Sequence, residues 1–252
     1  MDEIVTCNLA ANAGVLFTYQ GRKILVDGLF MVEGNPFSDL PAGTIRSLRE
    51  GLPPYDHIDY LLFTHDHSDH FSPELVAAYV AKHPVKGVLL PPVRRPAQAR
   101  LRELLQARGI PCPEANAAQD AGISWESGIR VQSLPTRHLD RRFWDVPHFV
   151  LLLTLGDKHL LLTGDVDYTA ESLPGLPPLR AAFLNPMFFH ALCTGRFFRG
   201  VLPTDTLCVY HMPFPPGDPY RLRAMLEKDL ARRPPLGPAI HILERPNQCL
   251  LL

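Results

Sequence analysis

The chain has 252 residues and a formal net charge of −1, and 46% of its residues are hydrophobic. This length supports a sizeable core, and no Gly/Ser run, charge block or low-complexity tract marks a linker. We therefore predict a single domain over residues 1–252. Because the chain is nearly neutral, it lacks a global field that would recruit nucleic acid or an anionic membrane.

The chain termini and cysteines bear on the cellular compartment. The first residues, Met1-Asp2-Glu3-Ile4, are acidic where a secretory signal would be basic. The longest apolar runs are too short to span a bilayer. The five cysteines are scattered without a CxxC pair, which is typical of a reduced compartment. We predict a cytoplasmic protein without a membrane partner and leave its oligomeric state open.

The first half of the chain alternates short strands with helices. Strands are predicted at Ile4–Leu9, Gly14–Tyr19, Lys23–Val26, Tyr60–Phe63 and Val88–Leu90. Helices are predicted over Asp39–Glu50, from Ser72-Pro73 onward, and over Gln98–Arg108. Gln20-Gly21 is a predicted tight turn between the second and third strands. Ser72 and Pro73 fit an N-cap and a first helical residue.

The second half continues the alternation. Strands are predicted at Ile129–Leu134, Phe149–Leu155, His159–Leu162, Ala182–Leu184, Leu207–Tyr210 and Ile240–Leu243, and a last helix at Pro219–Ala231. Gly156-Asp157 gives the second and third of these strands a hairpin turn. Interspersed strands and helices predict a mixed α/β sandwich with two sheets and outer helices.

Polar residues follow several of the predicted strands at the point where each strand ends. His65, Asp165 and His211 lie just past the carboxyl ends of apolar strands, and His138 lies close to one. In layered α/β folds, ligands bind at this edge. The pattern therefore predicts that these residues share one site.

The segment Thr64-His65-Asp66-His67-Ser68-Asp69-His70 holds three His and two Asp within six residues. Imidazole suits zinc, iron and manganese, and carboxylate adds a harder oxygen ligand. In a tight loop, His65 and His67 can approach one ion, while Asp69 and His70 turn toward a second. The alternative interpretation is an exposed His-rich loop.

The ordered motif resembles that of the metallo-β-lactamase-fold superfamily. Its pattern is HxHxDH, then a lone His, a lone Asp and a final His, matched here by His138, Asp165 and His211. An earlier Asp after a hydrophobic strand matches Val26-Asp27-Gly28, so the resemblance spans residues 4 to 212. It implies a four-layer αββα sandwich of two mixed β-sheets.

The resemblance also implies two divalent metal ions, with zinc favoured and manganese or iron as alternatives. The implied ligands are His65, His67 and His138 for the first ion, Asp69, His70 and His211 for the second, and Asp165 as the bridge. Asp27 would lie outside this set and orient the loop and a ligand imidazole.

The implied chemistry is hydrolysis by a hydroxide held between the two metals. Coordination lowers the pKa of water from about 15.7 to about 7, and the ions polarise the scissile carbonyl or phosphoryl oxygen. Asp69 is placed to orient the nucleophile or relay a proton. Asp69 and Asp165 are thus the predicted catalytic residues.

Details of the motif narrow the function. Asp165 at the bridging position argues against a true β-lactamase. His67 stands where the flavodiiron relatives carry Glu, which argues against diiron oxygen reduction. The chain looks most similar to a compact branch with ascorbate-phosphate lactonases and uncharacterised hydrolases. We predict a hydrolase of a small, anionic ester, lactone or phosphoester. The alternatives are an iron-dependent oxygenase of the persulfide dioxygenase type, a nuclease or phosphodiesterase on the same scaffold, and a non-enzymatic module that binds a metal or a ligand.

Candidate substrate contacts flank the predicted ligands. Arg137, Arg141 and Arg142 lie beside His138, and a guanidinium suits phosphate or carboxylate. The alternative is a solvated loop whose arginines pair with Asp140 or Asp145. His148, Asn185 and His190, which lie near strand ends, are further candidates, with structural or surface roles as the alternative.

Overall fold

The computed structural model describes residues 4–31, 37–116, 122–126, 128–167, 173, 175–190, 202–232 and 237–252. The chain divides into two compact units, an N-terminal unit of Met1–Ala115 with Arg245–Leu252 and a C-terminal unit of Asn116–Glu244. The single domain predicted over residues 1–252 stays a prediction. Among the described residues, no helix has the length and apolar character needed to cross a membrane.

The N-terminal unit contains a six-stranded sheet in the order β13-β1-β2-β3-β4-β5. Its strands are β1 (Thr6–Ala11), β2 (Gly14–Tyr19), β3 (Arg22–Val26), β4 (Tyr60–Leu62), β5 (Gly87–Leu89) and β13 (Cys249–Leu251). Pairing is antiparallel from β13 to β3 and parallel from β3 to β5. The parallel strands β4 and β5 are buried at every residue, as expected for strands covered on both faces.

Local sequence signals explain the turns and helices of this unit. Gln20 and Gly21 both have positive φ, 47° and 75°, which a tight hairpin turn requires. The helices are α1 (Ala42–Glu50), α2 (Pro73–Lys82) and α3 (Pro96–Ala107). Helix α1 ends at Gly51 in the left-handed conformation. Ser72 caps α2 by accepting a hydrogen bond from the amide of Leu75.

The C-terminal unit contains a seven-stranded sheet in the order β12-β11-β10-β9-β8-β7-β6. Its strands are β6 (Ile123–Glu126), β7 (Ile129–Thr136), β8 (His148–Leu155), β9 (Lys158–Leu162), β10 (Ala181–Leu184), β11 (Thr206–Val209) and β12 (Ala239–Ile242). Pairing is antiparallel from β6 to β9 and parallel from β9 to β12. Among the described residues of this unit, the α-helices are α4 (Met187–His190) and α5 (Leu222–Arg232).

Strand β8 contributes to the core of the C-terminal unit, because all its residues except Thr154 are buried. Val150 and Leu161 of the central strands pack in one cluster with Phe188 of α4 and Leu226 of α5. Burial of each such side chain contributes about 1.5–3 kcal/mol. This core fixes the strands whose ends carry the functional residues.

The predicted strands are confirmed within a few residues at their ends, but other elements differ. Helix α5 begins at Leu222 rather than Pro219, because the Asp218 carboxylate accepts hydrogen bonds from the amides of Leu222 and Arg223. Helix α3 begins two residues earlier than predicted, with proline at its first turn. Strands β6 and β13 were not predicted, since both are short and partly exposed.

Candidate metal centre

The histidine-rich segment forms a compact turn directly after β4 in the N-terminal unit. The carbonyl of His67 accepts hydrogen bonds from the amides of His70 and Phe71, at 3.1 and 2.9 Å. The amide of Ser72, the cap of α2, donates to the carbonyl of Leu29 at 2.8 Å. Strand, turn and helix cap thus hold the segment, and the side chains of His65 and His70 are fully buried.

Asp27 braces this turn from the end of β3. Its Oδ1 accepts the amide of Thr64 at 2.8 Å, and its Oδ2 accepts the Thr64 hydroxyl at 2.6 Å. The same Oδ2 lies 2.8 Å from Nδ1 of His70. The Thr64 hydroxyl also lies 3.0 Å from Nδ1 of His65. One carboxylate therefore contacts His70 directly and His65 through Thr64, whereas the sequence predicted contact with one imidazole and did not identify Thr64.

These hydrogen bonds assign the ring protons. The Thr64 hydroxyl gives its single proton to Asp27, so it must accept from Nδ1–H of His65. The Asp27 carboxylate likewise accepts from Nδ1–H of His70. Both rings then carry their lone pair on Nε2, which is the form that a metal binds.

The backbone at Asp27 is unusual in two respects. Asp27 has φ of 46°, in the left-handed region that residues with a side chain adopt uncommonly. Gly14 at the start of β2 allows close approach, because a Cβ there would lie 2.9 Å from the carbonyl oxygen of Asp27. The close approach of Gly14 and the hydrogen bonds of the Asp27 carboxylate thus accompany the left-handed turn.

The four candidate ligands of the N-terminal unit lie close to one another in the histidine turn. The rings of His65 and His67 have centroids 4.6 Å apart, and candidate ligand atoms on the two lie within 4.8 Å of each other. Oδ2 of the buried Asp69 lies 3.7 Å from Nε2 of His70. The rings of His65 and His70 lie closer still, with centroids 4.1 Å apart, so the division of these residues between two ions stays a prediction.

Asp66, which the sequence left without a role, fixes the turn to helix α3. Its Oδ2 accepts a hydrogen bond from Nε2 of Gln98 at 3.1 Å, and Arg95 donates to its carbonyl oxygen at 2.9 Å. Gln98 and Arg95 lie about thirty residues after Asp66 in the sequence. No local sequence pattern links them to the histidine segment, so only the fold reveals this contact.

In the C-terminal unit, the Asp165 carboxylate faces two imidazoles. Its Oδ1 lies 2.9 Å from Nε2 of His211, and its Oδ2 lies 3.2 Å from Nε2 of His138. All three side chains are buried. When two ligand atoms each bind the same ion at a distance of about 2.0–2.1 Å, they lie roughly 3 Å from each other. The residues present therefore fit a carboxylate that bridges two ions, each with its own imidazole.

The Asp165 turn is positioned by residues that were expected to contact substrate. Its amide donates to Nε2 of His148 at 3.0 Å, and Nδ1 of His148 lies 2.8 Å from the Thr136 hydroxyl. Asn185 donates through Nδ2 to the carbonyls on both sides of Asp165, at 3.2 and 3.3 Å. His148 and Asn185 are buried, and these contacts give them a positioning role.

His138 and His211 differ from the histidines of the N-terminal unit. His211 has a positive φ of 59°, so its backbone is strained much as that of Asp27 is. Nδ1 of His138 accepts the amide of Asp140 at 2.9 Å, which assigns the proton of the neutral ring to Nε2. A ligand role through Nε2 therefore requires this ring to rearrange its hydrogen bonds.

Two of the arginines beside His138, Arg137 and Arg141, lie near the ring of Trp144. The guanidinium of Arg137 lies 4.8 Å from the ring centroid of Trp144, and its Nε donates to Asp167 at 2.7 Å. The guanidinium of Arg141 lies 5.4 Å from the same ring. Trp144 in turn donates to the carbonyl of His138 at 2.9 Å. Two cations thus flank an indole that contacts a candidate ligand.

Arg142 and His190 are held in surface ion pairs. The side chain of Arg142 is 80% exposed and pairs with Asp140 at 2.6 Å, as the alternative interpretation of this loop expected. This hydrogen bond lowers the pKa of Asp140 to about 2. His190 is half exposed, and its Nδ1 lies 2.9 Å from the carboxylate of Asp229. These pairs account for both side chains without a substrate.

No protein-family model matches the sequence, and no curated protein sequence matches it either. Solved structures do match. The metallo-β-lactamase fold protein YhfI from Bacillus subtilis has a TM-score of 0.60 and 14% identity, over 99% of this chain and 100% of that one. A metallo hydrolase from the archaeon Ignicoccus hospitalis has a TM-score of 0.58 and 15% identity, over 99% and 98%.

A further match is CmlA, a diiron β-hydroxylase from Streptomyces venezuelae, with a TM-score of 0.63 and 18% identity. It aligns with all of this chain but with 54% of its own, so this chain spans about half the length of that protein. At such identities, the similarity concerns the fold. The two mixed β-sheets with their helices agree with it, and the chain therefore has the metallo-β-lactamase fold.

Proposed function

We propose that this chain is a metal-dependent hydrolase that acts on a small, anionic ester, lactone or phosphoester. The observation that carries the proposal is the Asp165 carboxylate, which turns one oxygen toward each of two imidazoles, at 2.9 and 3.2 Å. A carboxylate in this arrangement suits a bridge between two ions.

In this proposal, the candidate ligands hold two metal ions. His65, His67 and His138 would hold one ion, Asp69, His70 and His211 the other, and Asp165 would bridge them. The proposal is supported by the close approach of the candidate ligands within each unit. It is supported too by the ring protons of His65 and His70, which leave the lone pair of Nε2 free to bind a metal. It is also supported by structural matches that extend over nearly the whole chain.

Two divalent ions, once bound, would supply a water of lowered pKa, about 7, and a Lewis acid for the scissile carbonyl or phosphoryl group. The chain's own residues then orient the reactants. Asp69 is buried and acceptor-only when ionised, so its carboxylate would align the attacking water and take a proton from it. Arg137 and Arg141, whose guanidiniums both lie near the Trp144 ring, would bind the anionic group of the substrate.

Zinc is the proposed metal, because imidazole is its usual nitrogen ligand and carboxylate its usual oxygen ligand. The same ligands also suit iron, and a diiron hydroxylase is among the structural matches. An iron-dependent oxygenase is therefore the second candidate function. The proposed partner is a small molecule, and the proposed location remains the cytoplasm, which rests on the cysteine pattern of the sequence.

Metal analysis of the purified protein, followed by a substrate panel, tests both candidates. The panel contains esters, lactones and phosphodiesters, each as an anionic and a neutral analogue. The proposal expects two zinc ions per chain and metal-dependent turnover that is faster for the anionic analogues. Redox-active iron with substrate-dependent oxygen consumption would favour the oxygenase, and turnover that survives metal removal would reject both.

A further inference from the structure

The N-terminal unit contains an apolar cavity between helices α1 and α2 that has no part in the proposed metal centre. Its volume is about 540 Å³, within the range of small-molecule sites. Its walls are mainly apolar, formed by Leu29, Leu40, Ile45, Leu48, Leu75 and Tyr79 among others. None of the candidate metal ligands lines it.

The two ends of the cavity can be identified from hydrogen bonds. Nε2 of His83, at the end of α2, lies 3.2 Å from the carbonyl oxygen of Arg49 near the end of α1. The carboxyl ends of both helices are therefore adjacent. At the opposite end, the amide of Met31 donates to the carbonyl of Ser68 at 3.1 Å, just before α2 begins.

Charge is distributed unequally between these ends. Arg49 and Lys82 line the cavity from the last turns of α1 and α2, and His83 follows directly. The acidic lining residue, Asp39, precedes α1 and so belongs to the opposite end. Burial raises the pKa of Tyr79 to about 12, so its hydroxyl adds no charge to the wall. The cavity thus combines a long apolar wall with cations at one end.

We propose that this cavity binds a medium-chain fatty acid, with the acyl chain between the helices and the carboxylate against Arg49 and Lys82. An apolar chain gains from removal of its methylenes from water, and a carboxylate gains from two flexible cations. Charge complementarity at one end and the apolar character of the rest select an amphipathic anion over a neutral or cationic ligand.

Calorimetric titration of the full chain with sodium decanoate tests this inference, with octanoate and decanol as comparison ligands. We expect saturable binding of one decanoate per cavity and weaker binding of octanoate. Each methylene removed should weaken binding about three- to fourfold. Decanol should bind more weakly than decanoate, because it lacks the charge that Arg49 and Lys82 recognise.

Three variants locate the ligand. Ala78→Trp fills the cavity from an exposed position of α2, and should abolish binding of decanoate and decanol alike. The double variant Arg49→Gln with Lys82→Gln should weaken decanoate about five- to twentyfold and leave decanol unchanged. Arg46→Gln is the matched control, since Arg46 lies on the same helix but pairs with Glu50 at 3.1 Å.

Thermal unfolding of each variant confirms that it folds. If Ala78→Trp does not fold, Ile45→Asp serves as the blocking variant in its place. Failure of decanoate to bind, or binding that neither blocking variant weakens, would overturn the inference. Equal loss for decanoate and decanol in the double variant would also overturn it. Binding of an acidic helical peptide in place of decanoate would assign the cavity to a protein partner instead.

Discussion

The candidate ligands of the N-terminal unit and those of the C-terminal unit are held in place in different ways. His65 and His70 come from one turn and depend on one carboxylate, because Asp27 contacts His70 directly and His65 through Thr64. Asp165 and His211 follow separate strands, β9 and β11. Asp165 is held by its own set of neighbours, His148 and Asn185.

This difference predicts where the site is vulnerable. A substitution of Asp27 removes hydrogen bonds that orient two imidazoles. A substitution of either His148 or Asn185 leaves the other to hold the Asp165 turn. The two turns also share a feature, since Asp27 and Asp165 each follow the strand at which antiparallel pairing changes to parallel, β3 and β9. In both units, the strand with one antiparallel and one parallel neighbour is therefore followed by the carboxylate that contacts the candidate histidine ligands.

The largest effect is expected for Asp165→Ala. This change removes the proposed bridge and leaves His138 and His211 without the carboxylate that lies 3.2 and 2.9 Å from them. We expect hydrolytic activity to be lost and metal content to fall toward one ion per chain or none. Metal analysis and turnover of the best panel substrate measure the two effects. Retention of both ions at the wild-type rate would refute the bridging role.

The next largest effect is expected for Asp27→Asn. The carboxylate accepts hydrogen bonds at both oxygens, one from the Thr64 amide and the other from the Thr64 hydroxyl and His70. An amide places an NH2 donor at one of these positions, so the two candidate ligand rings lose their orientation. Loss of such an outer partner typically lowers metal affinity about 10–100-fold. Competition with a chelator measures the affinity. Asp59→Asn is the control, because Asp59 accepts from the amide of Lys23 at 3.0 Å in the same unit but contacts no candidate ligand.

The contrast also explains how far the sequence alone could lead. The turn from His65 to His70 is contiguous, and its ligand chemistry could be read directly from residue types and spacing. His138, Asp165 and His211 became candidate ligands because each follows an apolar strand whose end could be predicted. Asp27 required the family resemblance, because a lone Asp after a strand is also a common turn residue.

Contacts that depend on packing between distant segments could not be predicted. Gln98 reaches Asp66 only because α3 begins beside the histidine turn, and β13 pairs with β1 across nearly the whole chain. His148 and Asn185 were correctly placed near strand ends, but their hydrogen-bond directions depend on side-chain conformations that the sequence does not specify. Their positioning role therefore emerged only from the structure.

A moderate effect is expected for His148→Phe, which keeps the ring but removes the acceptor for the amide of Asp165. A buried amide left without its hydrogen bond lowers the free energy of unfolding by about 1–3 kcal/mol. Metal affinity should fall less than in Asp27→Asn, because Asn185 still holds the Asp165 turn. Denaturant unfolding and chelator competition measure the two quantities.

His159→Phe is the matched control for His148→Phe. Nδ1 of His159 also pairs with a threonine hydroxyl, that of Thr154 at 3.0 Å, on the same sheet. Its loss should leave metal affinity unchanged. If both variants lower metal affinity equally, the effect belongs to general weakening of the sheet, and the positioning role of His148 is wrong.

The smallest effect is expected for the arginines beside His138. Arg137→Ala removes a guanidinium that stacks on Trp144 and is 46% exposed, so solvent screening limits its contribution. About 1 kcal/mol corresponds to roughly a fivefold rise in KM. We expect this rise for an anionic substrate and little change for its neutral analogue. Arg141→Ala should have a weaker effect in the same direction, because its guanidinium lies farther from the indole.

Arg142→Ala is the control for both arginine variants, since Arg142 is more exposed and its charge is engaged by Asp140. Its kinetics should match those of the wild type on both substrates. Metal content must stay constant throughout, because Trp144 joins this cluster to the carbonyl of His138, and a displaced ligand would lower kcat for every substrate. A KM that rises equally for the anionic and neutral analogues, or in none of the variants, would show that these arginines do not recognise substrate charge.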